Sequence, residues 1–351
     1  MSDGPVPAPR EQGWIWLALA LAAFLLIPHL PGLPAFLPVV DTLLLLTPVL
    51  AACFLVGWWA GGPLSLAVVW TALTAWLFIL PAPSGVSVAY YDMARAWGLL
   101  VASAFGLVCL IGRQRSFLER SLSGIGIATL VSLLLLAFGG EHPRQAERIF
   151  ANEFATRNAA AAVVMRESAQ LIGTRAPRFA EMANQVAAER LGVQRTLSRA
   201  AAPLFPALLA LEALAACALA WALYHRLSRA RLGNALSPLS RFAFSDQLVW
   251  ALVAGITMLL LPTLAAVGPM GRNLIVFVGA LYVLRGYGIY AWFISRRVAT
   301  VSLVLAIAAF PLSLVTVPAA LGLGLTDTWI NWRARLRVVR PGSGRQDPHD
   351  R

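Results

Sequence analysis

Two ionisable residues lie in stretches too apolar to tolerate them cheaply. Arg285 sits in GALYVLRGYGIYAW (279–292) and Glu212 in PALLALEALAACALAWAL (206–223). A charge at the centre of a bilayer costs about 2.5–3.5 kcal/mol or more, so each of these residues needs a partner or a purpose. Two chemistries fit. Arg285 and Glu212 pair across the bundle as a structural unit, or Arg285 grips an anionic ligand in a pocket shared with Glu212, Tyr282, Tyr287 and Tyr290. The second reading draws on the tyrosine rings and hydroxyls and on Gly286 and Gly288, which are expected to loosen the helix.

The stretch GLTDTWINWRARLR (324–337) closes an apolar run with an acid, two indoles and a row of arginines. Trp329 and Trp332 read as interfacial anchors, and Arg333, Arg335 and Arg337 as the positive stop that keeps a tail in the cytoplasm. Asp327 is not accounted for by anchoring. Asp41, Asp92 and Asp246 fall at the ends of apolar runs and read as capping or interfacial residues.

No zinc-protease HExxH, no GxSxG and no GxxxxGK[ST] loop is present, and no histidine lies near a plausible nucleophile. Cys53, Cys109 and Cys217 are far apart in apolar runs and read as packing residues. The sequence therefore predicts no enzyme, no cofactor and no metal site.

The elements that must position these residues are membrane helices. With 59% hydrophobic and 13% charged residues, the chain is too apolar for a wetted surface. A core of roughly 30 Å takes about 20 apolar residues per helix. Nine segments qualify, at 14–37, 41–59, 63–80, 93–111, 121–139, 203–225, 247–267, 273–294 and 298–325. The first lacks a cleavage pattern and is expected to stay with the chain.

The net charge of +12 comes from arginine alone. Because the arginines flank the apolar runs, they predict anionic headgroups rather than nucleic acid as partner. Arginine-rich loops at 112–120, 225–241 and 295–297 are expected inside, with the N-terminus. A ninth full crossing would export the basic tail, so the last segment, with Pro311 and Pro318, is expected to be kinked or re-entrant.

Residues 141–202 differ, with nine arginines and six glutamates. Phe150, Phe154, Ala161, Met165 and Ile172 form one helical stripe; Phe179, Met182, Val186, Val193 and Leu197 form another, with GTRAP (173–177) between them. This predicts an extracytoplasmic helical hairpin whose stripes bury each other, lie on the membrane, or dock a partner. The chain then divides into a membrane bundle at 1–140, the insertion at 141–202, a second bundle at 203–337 and a disordered basic tail at 338–351. The fold class is all-α, a polytopic membrane bundle.

The runs LSPLSRFAFSDQLVWALVAG (236–255), NLIVFVGALYVLRGYGIYAWFI (273–294) and LGLTDTWINWRARLR (323–337) resemble the YybS-like family of bacterial multi-pass membrane proteins, whose function is unknown. That family is similar to the S-components of energy-coupling-factor vitamin transporters and to the rod-shape protein MreD. The resemblance implies two roles: a small-molecule-binding transport subunit of the bacterial inner membrane, or a scaffold holding a membrane protein partner.

Overall fold

The computed structural model describes residues 13–30, 34, 37–112, 115–138, 143–228, 230, 232–293 and 310–339. Every regular element among them is helical, and the fold is an all-α polytopic membrane bundle. Among the described residues, four helical runs are long and apolar enough to cross a membrane, and four shorter apolar helices accompany them. Two compact units are formed, by residues 1–236 and 237–351.

The first unit contains α1 (Trp14–Leu26), α2 (Leu43–Trp59), α3 (Leu64–Ile79), α4 (Val88–Ile111), α5 (Phe117–Phe138), α6 (Pro143–Arg175), α7 (Ala180–Ala201) and α8 (Phe205–Leu227). α2 is central, packing on α3, α4 and α8, and it is buried nearly all round, as a helix without a polar face should be. α4 packs on α5. The expected span at 14–37 is interrupted. α1 gives way to a 3-10 turn at Ile27–His29 because Pro28 cannot donate into the helical ladder.

The polar insertion is a helical hairpin, turned at Ala176 and the 3-10 turn Pro177–Phe179. Its two stripes do not bury each other throughout. Phe150 and Phe154 are buried at the root, whereas Ile172, Phe179, Met182, Val186 and Val193 are exposed. α7 meets α6 instead through Leu191, Gln194 and Ser198, and Ser198 donates to Asn158 Oδ1 at 3.1 Å. α7 then runs into α8 through a single 3-10 turn, Ala202–Leu204.

The second unit contains α9 (Leu248–Leu260), α10 (Gly268–Phe293), α11 (Phe310–Ile330) and the short α12 (Trp332–Val339). α10 lies between α9 and α11. Pro262 ends α9 and opens a 3-10 stretch, Pro262–Val267, so α10 begins at Gly268, five residues before the expected 273. The first part of the ninth apolar segment, 298–309, lies outside the described residues. Pro318 sits inside α11.

Candidate functional site

Glycines let the second unit close around Arg285. A Cβ on Gly286 would collide with the carbonyl of Ala320, and one on Gly324 with the carbonyl of Tyr282, so α10 and α11 cross backbone to backbone. A Cβ on Gly288 would stand 2.5 Å from the carbonyl oxygen of Leu239, where the segment leading to α9 lies on α10. Gly286 and Gly288 thus admit neighbours and do not interrupt α10, which is helical from end to end.

This close crossing sets Asp327, one turn beyond Gly324, against Arg285. Nε of Arg285 donates to Asp327 Oδ2 at 2.9 Å, and Nη1 donates to Asp246 Oδ1 at 2.8 Å. Arg285 and Asp327 are each only 5% exposed, while the Asp246 side chain is 60% exposed. The guanidinium carbon also lies 5.2 Å from the Phe244 ring centroid, a cation–π distance, and that ring packs edge-on to Tyr282. Charge-assisted bonds of this kind are about twice as strong as neutral ones, and they offset the desolvation of the arginine.

Asp327 has a second task. Its Oδ1 accepts the backbone N–H of Trp332 at 3.0 Å, which caps α12. Asn331, with φ of 47°, makes the left-handed corner between α11 and α12. Trp332 Nε1–H donates to Thr326 Oγ1 at 3.1 Å, and both Nη atoms of Arg333 donate to the Phe242 carbonyl at 3.1 Å. Trp329 and Arg335 are exposed; the side chain of Arg337 lies outside the described residues.

Arg285 and Glu212 each find partners within their own unit. Glu212 Oε2 accepts the backbone N–H of Val39 at 3.0 Å, while Oε1 is shielded and has no partner among the described residues. Tyr282 and Tyr287 are buried, and their hydroxyls have no partner among the described residues; Tyr290 is partly buried. Asp246, the exposed carboxylate of the two, already occupies the Nη1 side of the guanidinium.

A second polar junction was not foreseen from the sequence. At the hairpin root, Arg157 donates to Glu153 Oε1 at 2.9 Å and to the carbonyls of Pro34 and Leu37 at 3.1 and 2.7 Å. Its guanidinium lies 4.7 Å from the Tyr90 ring centroid, and the Tyr90 hydroxyl donates to the Pro38 carbonyl at 2.6 Å. Glu153 Oε2 accepts the N–H of Ser87 at 3.3 Å. The available signal was a glutamate and an arginine at i and i+4 beside the buried Phe150 and Phe154.

These features define a polytopic helical membrane protein whose buried charges are bound within the chain. The family described as predicted membrane protein (DUF2232) matches residues 153–328, half of the chain, and the protein belongs to it. The match takes in Glu153, Arg157, Glu212, Asp246, Arg285 and Asp327, and ends before Trp329. No curated protein and no solved structure matches.

Proposed function

We propose that the protein is a scaffold of the bacterial inner membrane that presents its hairpin to a membrane or extracytoplasmic protein partner. The observation that carries this is the exposed apolar set on the hairpin: Leu171, Ile172, Phe179, Met182, Val186 and Val193. α7 continues into the membrane helix α8, and at 1.5 Å per residue Phe179 lies roughly 39 Å along the helical path from Phe205. A hairpin that continues the line of α8 carries its tip beyond the lipids around that helix. The junction at Arg157 supports the same reading, because it fixes the hairpin root to the membrane part.

In this reading the protein is YybS-like and works in the manner of MreD, with the hairpin outside and the N-terminus and basic tail inside. The test is a photo-crosslinking residue at Met182 or Val186 in intact cells, with Gln185 as the control. A protein adduct specific to the apolar positions supports a scaffold; equal or absent cross-linking at all three positions overturns it. A cysteine after Gly342 should be shielded from an impermeant thiol reagent, and ready labelling from outside would reverse the orientation.

The second reading is a solute-binding subunit similar to an S-component. It is favoured by the Tyr282 and Tyr287 hydroxyls, which lie on the helix of Arg285 and have no partner among the described residues. Mass spectrometry of small molecules retained by the gently purified protein tests it, with an Arg285→Gln variant as control. A metabolite kept by both proteins removes the pocket assignment.

A further inference from the structure

Where α4 ends and α5 begins, a groove of about 480 Å³ opens between them. Its walls are Val108, Ile111, Ile127 and Leu130, and Gly126 and Arg115 also line it. All four wall residues are apolar, and Ile111 and Leu130 are largely exposed, facing away from the bundle. A Cβ at Gly126 would meet nothing within 4 Å, so the glycine leaves the groove open. From Ser123 to Leu130 the lining follows α5 for about 10 Å. Both α4 and α5 are long and apolar enough to cross a membrane, which puts the groove's inner part at acyl-chain depth and its outer part at the helix ends.

Arg115 provides the charge at that outer part. Its side chain lies over Gly112, and its guanidinium has no ion pair or hydrogen bond among the described residues. The acid nearest in sequence is already used. Glu119 Oε2 accepts the N–H of Ser116 at 2.9 Å and the N–H of Glu119 points back to Ser116 Oγ at 3.3 Å, the reciprocal cap that starts α5. Arg120 turns inward, donating to the Leu232 carbonyl at 3.2 Å beneath the Trp221 ring. Arg115 is therefore an unpaired cation, among the described residues, at the end of an apolar groove.

We infer that this groove is a lipid site: an acyl chain lies along Val108, Ile111, Ile127 and Leu130, and Arg115 binds the phosphate of an anionic phospholipid. Arginine near an anionic surface contributes enough to favour such a lipid about fivefold over a zwitterionic one of the same chains. The site is independent of the hairpin and of Arg285.

The test uses the full chain in mild detergent with equal amounts of phosphatidylglycerol and phosphatidylcholine of matched chains, and native mass spectrometry to count the lipid retained. The wild type should favour phosphatidylglycerol. Arg115→Gln should lower that preference about fivefold, and Arg115→Lys should keep it. Gly126→Leu, which fills open space, should lower retention of both lipids. Melting in lipid-free detergent checks that each variant is folded. An Arg115→Gln protein with the wild-type preference, or a folded Gly126→Leu protein that keeps wild-type amounts of lipid, overturns the assignment.

Discussion

Replacing Asp327 and Asp246 in turn separates a buried ion pair from an exposed one on the same guanidinium. Both bonds to Arg285 are short, at 2.9 and 2.8 Å, so distance alone ranks the two aspartates as equal. Burial ranks them differently. The Asp327 side chain is 6% exposed and that of Asp246 is 60% exposed. Asp327→Ala leaves the buried arginine with only the exposed Asp246 as partner, which costs about 3 kcal/mol, the low end for a broken buried pair, and removes the α12 cap, which costs about 1 more. Asp246→Ala removes a solvent-screened partner and costs at most about 1 kcal/mol. The assay is unfolding of the full chain by sodium dodecyl sulfate in mixed micelles, followed by tryptophan emission. A gap of at least about 2 kcal/mol between the variants is expected. Arg285→Met combined with Asp327→Leu should cost less than the sum of its single changes, because an apolar pair leaves no stranded charge. An Asp246 variant as damaging as the Asp327 variant, or strict additivity in the double variant, refutes the account.

Three further outcomes follow from the geometry. Gly286→Ala drives a methyl group into the Ala320 carbonyl and should cost about 1–3 kcal/mol, whereas Gly279→Ala on the same helix meets open space and should be neutral or stabilising by about 0.5–1 kcal/mol, both read in the same micelle titration. Glu212→Gln keeps an acceptor for the Val39 N–H and should change stability little, while Glu212→Leu leaves that N–H buried without a partner and should cost about 1–3 kcal/mol. Arg157→Met releases the carbonyls of Pro34 and Leu37, so hydrogen exchange should quicken in the first turns of α6 and at Val39 but not at the α6–α7 tip.

Membrane residence, the helical class and the hairpin were legible in the sequence because each depends on properties that add along a short window. Twenty apolar residues in a row carry their own transfer free energy whatever surrounds them, and Pro177 has no N–H to give to a helix running through it, whatever its neighbours are. The sequence also singled out Arg285, because its cost is local. It did not name the partners. Asp246 and Asp327 lie 39 and 42 residues from Arg285, and only the crossing at Gly286 and Gly324 brings the latter within reach.

The alternative in which Glu212 pairs with Arg285 rested on matching charge and depth alone. Glu212 instead receives a backbone N–H from Val39, a donor present at almost every residue and so without a sequence signature. The stripes of the hairpin were read correctly as apolar, but which of them is covered depends on the rotation of α7 against α6. That rotation places Leu191, Gln194 and Ser198 in the seam and leaves Met182, Val186 and Val193 exposed. What the sequence determined by itself is where burial is required, since hydropathy is a property of single residues. Which groups meet was decided by the tertiary structure, since a contact depends on backbones that approach only after the helices have packed.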